Sequence, residues 1–160
     1  MAGTSYTPEE LPDTHGSPDR ATISDRHELE MLIVAGPVDG AVTALTALRT
    51  AGHQLTVITA RTPRLCELTE AWLRYHGITV DRLHFLAGGS KVPAALAEGI
   101  DLMVEDAPHN ANALAEAGVP VLLFGTPYNV GVTHPLIQRC EGWEAVTAEI
   151  TAWPVGQLGA

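Results

Sequence analysis

Nothing constrains the fold of this chain more than the alternation of strand-like and helix-like segments between Gln54 and Phe124. Gln54–Ala60, QLTVITA, is an apolar, β-branched run of strand length. Arg61-Thr62-Pro63 then opens a helical pattern, with Thr62 as N-cap and Pro63 at the first helical position. Leu65, Leu68, Trp72 and Leu73 share one face of that helix, which reaches Tyr75 and stops at Gly77. Leu83–Leu86 is a second short strand, followed by the loop Ala87–Ser90 and a helix over Lys91–Glu98. Leu102–Val104 is a third, ended by Glu105 and Asp106, with Pro108 and a helical run Asn110–Ala117 directly behind it. Val119–Phe124 is a fourth, running into a Gly/Pro/Asn loop. Strands separated by helices and short connections pair in parallel, and a parallel sheet is covered on both faces. The expected architecture is therefore α/β: a three-layer α/β/α Rossmannoid with about five strands.

The flanks are less regular. Val42, Leu45 and Leu48 recur at helical spacing after Gly40, and Gly52 ends that run. Met31–Ala35, MLIVA, is either a buried strand or the last turn of a helix begun near Ser24, since periodicity cannot separate the two over so few residues. Residues 1–27 carry Pro8, Pro12, Gly16 and Pro18 among polar residues and read as a disordered tail, leaving 28–160 as a single domain. Segments around Pro135–Cys140 and Trp143–Trp153 read as helical. The net charge of −10 argues against binding nucleic acid, whose affinity rests on neutralising phosphates, but not against a small phosphorylated ligand. No apolar run approaches the roughly 20 residues that a membrane span needs. Two cysteines, Cys66 and Cys140, are too few for a disulfide framework; with no signal-peptide pattern in view they are read as reduced, in a cytoplasmic protein.

Chemistry-bearing residues recur at the strand tips, where ligands bind in open parallel sheets. Thr59, with the amides that follow it at Ala60 and Arg61, is placed to hold a phosphate oxygen at a helix start. Lys91, the only lysine in the chain, opens the next helix and can set an ammonium against the same anion. Glu105 and Asp106 offer the hard oxygen ligands that Mg²⁺ prefers. Each has a plainer reading: Thr59 as a helix-approach residue, Lys91 as a solvated terminus, the acids as complements to a helix dipole. Their succession at consecutive tips favours one site for a phosphate and a divalent cation. Arg61 and Arg64 are phosphate-facing candidates, Arg64 equally a solvated side chain. Tyr128 and Asn129 either line the pocket or form a structural turn, His109 reads as a first-turn surface residue, His134 as a cap and Trp72 as core.

The wording V-I-T-A-R, the later Lys91 and V-E-D-A-P-H-N resembles motifs II, III and IV of the haloacid dehalogenase-like (HAD) phosphohydrolase superfamily. Its C-type 5′-nucleotidase-like branch is closer still, through P-x-x-G-A at Pro37, Gly40 and Ala41, T-x-x-W-L at Thr69, Trp72 and Leu73, and P-Y-N at Pro127–Asn129. The likeness runs from about Pro37 to Asn129. It implies a Mg²⁺-dependent phosphoric monoester hydrolase in which Thr59 holds the phosphate, Lys91 neutralises it, Asp106 binds the metal and Glu105 supports it. In such enzymes an Asp from a D-x-D at the tip of the central strand attacks phosphorus.

No D-x-D follows an apolar strand anywhere in these 160 residues. Asp13 lies in the polar tail, and Pro37-Val38-Asp39-Gly40 reads better as the helix entry than as a degraded motif, with no space for a substantial cap domain. Met31–Ala35 is expected in the central slot, which would put Ala35 and Gly36 where the nucleophile belongs. Two functions follow: a nucleotidase-like hydrolase whose nucleophile comes from elsewhere, or a non-catalytic HAD-like binding domain, a pseudoenzyme. The first carries a further expectation, a homo-oligomer or a partner chain that supplies a strand.

Overall fold

The computed structural model describes residues 34–153. In chain order the elements are α1 (Ala41–Thr50), β1 (Thr56–Thr59), a 3₁₀ turn (Pro63–Leu65), α2 (Cys66–Tyr75), β2 (Arg82–Phe85) and α3 (Val92–Ala97), then β3 (Met103–Glu105), α4 (Pro108–Glu116), β4 (Val121–Phe124), a second 3₁₀ turn (Pro127–Asn129), β5 (Ile137–Cys140) and α5 (Trp143–Ala152). Every ladder between these strands is parallel. β1 pairs with β2 in register from Thr56 opposite Arg82 to Thr59 opposite Phe85. β3 and β5 flank β4, with Glu105 opposite Leu123 and Cys140 opposite Phe124. Thr59 and Glu105 thus close their ladders at the carboxyl ends.

Side-chain parity on β4 separates the two outer layers. Val121 and Leu123 face Ile58, Met103 and the helical residues Ala95, Ala111 and Leu114 of α3 and α4. Leu122 faces the other way, with Cys140, Val146 and the partly buried Trp143 of α5. Leu114, Leu122, Leu123, Val121 and Val146 are all essentially withdrawn from solvent. Burying an aliphatic side chain of this size is worth about 1.5–3 kcal/mol, so this sandwich about β4 is the mechanical centre of the described domain. α1 lies beside α5, where it buries Ala41, Ala44 and Leu48. Gly40 enters α1 at φ +82°, and a Cβ there would sit 3.3 Å from the Trp143 Cβ. Only glycine meets both the backbone angle and the close approach at low cost.

Several expectations change. Ile137–Cys140 is a strand, not a helix. β4 is apolar on both faces and buried, so its backbone groups need a ladder on each side, and the IQRC segment supplies the second one. Of Met31–Ala35, residues 31–33 lie outside the described residues. Val34 is helical and 83% exposed, and the Ala35 carbonyl accepts the Trp72 indole N–H at 2.9 Å. Ala35 therefore does not end a central strand, and among the described residues no ladder joins β1 to β3. The polar tail expected over residues 1–27 also lies outside the described residues. Thr62 stands at the N-cap position of a 3₁₀ turn, with α2 starting only at Cys66, and its hydroxyl is buried without a hydrogen-bond partner. Trp72 is half-buried rather than core.

Candidate active site

At the tip of β3 the chain passes from a buried carboxylate to an exposed one. Glu105 is 4% exposed. Its Oε2 accepts from Lys91 Nζ at 2.6 Å, and its Oε1 accepts the backbone N–H groups of Asp106 at 3.1 Å and Ala107 at 3.0 Å. Ala107 is the N-cap of α4, and Pro108 is its first residue. One carboxylate thus fixes a cation and satisfies amides at the start of a helix, a charge-assisted arrangement stronger than neutral hydrogen bonds. Both of its oxygens are engaged by these partners. Asp106, next in the chain, has its side chain in solvent.

Lys91 arrives at Glu105 as the N-cap residue of α3, with its side chain 16% exposed. An ammonium has three donors, so the contact to Glu105 leaves capacity for an anion. At the tip of β1, Thr59 Oγ1 accepts the Arg61 N–H at 3.3 Å, folding the strand end into a tight turn. The carbonyls of Thr59, Ala60 and Arg61 accept the amides of Leu86, Gly88 and Ala87, so the β1 and β2 tips form one braced ledge.

A third group of residues comes from the loop after β4, which sequence reasoning left undecided. Asn129 is 1% exposed. Its side-chain amide donates to the carbonyls of Asp106 and Phe124, both at 2.8 Å. Its Oδ1 accepts the Thr126 N–H at 3.0 Å and an Arg139 guanidinium N–H. Arg139 is braced in turn by Glu141 at 2.7 Å. Beside it, the exposed Tyr128 donates its hydroxyl to Asp106 Oδ2. That bond chiefly, and desolvation after it, push the Tyr128 phenol above its ordinary value. Arg139 escaped sequence reasoning because its segment was read as helix; as a strand, IQRC would have pointed it toward the tip of β4.

The structure therefore joins Lys91 to Glu105 directly, and Asp106 to Tyr128 and Asn129. Thr59, Ala60 and Arg61 form their own ledge at the carboxyl end of the β1–β2 sheet. His109 is exposed, and His134 Nδ1 accepts the Leu136 N–H at 3.1 Å, a local turn contact. Among the described residues no group of three or more His, Cys, Asp and Glu side chains converges as a metal cage. Mg²⁺ seldom needs one, since it keeps several waters and takes one or two carboxylates together with substrate phosphate. Asp106, a hard oxygen donor open to solvent at a strand tip, fits that role as a single protein ligand.

Comparison with known proteins bears on the same residues. The family model described as 5′ nucleotidase, deoxy (Pyrimidine), cytosolic type C protein matches residues 26–153. A Bacillus subtilis protein named "Putative nucleotidase YqfW" is 41% identical over 96 residues, 59% of this chain and 50% of its own. One from Halalkalibacterium halodurans, "Putative nucleotidase BH1399", is 30% identical over 130 residues, 81% of this chain and 66% of its own. A Clostridium acetobutylicum protein named as a nucleotidase is 39% identical over 89 residues, 56% of this chain and 46% of its own. The chain thus spans about half to two thirds of the length of these relatives. No solved structure matches it significantly. No described helix is long and apolar enough to cross a membrane. With its parallel α/β fold and a family match over most of its length, the chain belongs to the cytosolic type C 5′-nucleotidase family of the HAD-like superfamily.

Proposed function

We propose that this chain carries the phosphate- and cation-binding half of a 5′-nucleotidase-like phosphohydrolase and, by itself, binds a phosphomonoester without turning it over. The observation that carries this reading is the 2.6 Å ion pair between Lys91 and Glu105. It ties the helix after β2 to the tip of β3 and leaves the neighbouring Asp106 open to solvent at the carboxyl end of the sheet. In this reading Thr59 and the amides of Ala60 and Arg61 receive phosphate oxygens, Lys91 offsets their charge, Asn129 shapes the floor, and Asp106 ligates Mg²⁺. When bound, such an ion polarises the phosphate oxygens and neutralises developing charge. Glu105 keeps the Lys91 ammonium oriented and the α4 amides satisfied. In this reading the nucleophile comes from outside these 160 residues, in which no D-x-D follows an apolar strand.

Calorimetry with Mg²⁺ and a nucleoside monophosphate, beside a phosphatase assay on the same substrate and on an aryl phosphate, tests the proposal. Binding without turnover is expected. Turnover that Asp106→Asn abolishes would defeat the non-catalytic part. A second reading, in which another segment or chain contributes a strand with its Asp residues, is favoured by one observation: among the described residues, β1 and β3 share no ladder. Under it, activity rises steeply with protein concentration or on adding the partner.

A further inference from the structure

The loop after β4 reaches across to the acid at the tip of β3 through two side chains, Tyr128 and Asn129. From these contacts we infer that Tyr128 and Asn129 are positioning residues for Asp106, Asn129 holding its backbone and Tyr128 its carboxylate. This rests on the reading of Asp106 as the cation ligand.

Asn129 is nearly sealed from solvent, and both ends of its amide are used. Its two 2.8 Å bonds to the carbonyls of Asp106 and Phe124 lock the first residue beyond the β3 ladder to the last residue of β4. The Thr126 N–H and Arg139 occupy its oxygen, so the amide cannot flip without losing its acceptor contacts. Arg139 reaches Asn129 from β5, so three strands converge on the Asp106 backbone through one side chain. A buried amide engaged at both its nitrogen and its oxygen in this way holds one orientation.

Tyr128 is different in kind. It is 63% exposed and contributes little to the core, yet its hydroxyl is bonded to Asp106 Oδ2. An exposed aspartate would otherwise sample several rotamers. Holding one oxygen leaves the other presented in a single direction, which lowers the ordering cost of accepting a cation. Ligating carboxylates are commonly held by such outer contacts, and loss of one weakens metal affinity by about 10–100-fold.

The test is Mg²⁺ titration of the whole chain by calorimetry, with Mn²⁺ as a second probe, on wild type, Tyr128→Phe and Asp106→Asn. Thermal melting of the cation-free proteins accompanies it. Tyr128→Phe removes one exposed hydroxyl, so its melting temperature stays within about 2 °C of wild type while its cation affinity falls about tenfold. Asn129→Ala is expected to lose both stability and affinity, whereas Tyr128→Phe separates the two. Equal affinity in Tyr128→Phe and wild type overturns the inference and leaves the functional reading standing. No Mg²⁺ binding by wild type, or binding that survives Asp106→Asn, overturns the functional reading and the inference with it.

Discussion

Replacing Lys91 by Met probes the connection on which the site depends. Lys91 and Glu105 meet at 2.6 Å with side chains 16% and 2% exposed, so the pair is close to buried and its two members are unequal. Removing one partner of a buried pair typically costs about 3–5 kcal/mol, because the remaining charge stays desolvated without its counter-ion. Glu105 would retain the amides of Asp106 and Ala107, which places the loss near the lower limit, about 3 kcal/mol. For a domain of this size one kcal/mol corresponds to roughly 3–5 °C, so a fall of about 10 °C in melting temperature is expected. Glu105→Gln should cost less. A Gln carbonyl still accepts both amides, and the Lys91 ammonium, being the more exposed partner, can move its head to water. Urea unfolding of both single variants and the double variant measures the costs and their coupling. A loss under about 1 kcal/mol for Lys91→Met, or a larger loss for Glu105→Gln, would refute the argument that the buried carboxylate sets the energetics.

Other expectations are more local. Asp81 accepts the Leu55 N–H at 2.7 Å and the Arg49 guanidinium at 2.8 Å, and the backbone bond first, then Arg49, hold its carboxyl below the usual carboxylate range. Its contribution to stability is then complete above the ordinary value of 3.8 and disappears as pH falls through the lowered one. Asp81→Asn should therefore melt below wild type at neutral pH and converge with it in acid, as melting curves against pH would record. Leu114→Ala empties a site with no solvent exposure between α4 and β4 and should cost about 2–5 kcal/mol in chemical denaturation. Gly40→Ala forces a left-handed backbone and a 3.3 Å contact on Trp143 at once. A loss of about 1–2 kcal/mol is expected, with loosening of α1 from α5 visible as faster amide exchange in α1. Gly125→Ala places a Cβ on the Glu141 carboxylate, an exposed and flexible end that can swing away, so the change should stay under about 1 kcal/mol.

The repeating order of elements is legible in one dimension, because strand and helix periodicity is written locally. β1–α2, β2–α3 and β3–α4 appear within a few residues of where the apolar patterns place them. The ends of the apolar runs likewise mark the strand tips and so place Thr59, Glu105 and Asp106, whereas Lys91 follows from the helix start behind β2. Tertiary structure decided the rest. Ile137–Cys140 is too short to declare its type, and it becomes a strand because the buried edge of β4 has backbone groups that must be paired. The difference between Glu105 and Asp106, adjacent and chemically alike, is invisible in one dimension. Strand parity and the approach of Lys91 turn the first inward to an ion pair, while the second is left in solvent for Tyr128 to hold. Asn129 shows the same dependence. An asparagine in a Gly/Pro loop reads equally as pocket lining or as a structural turn, and only the convergence of β3, β4 and β5 makes it a buried junction.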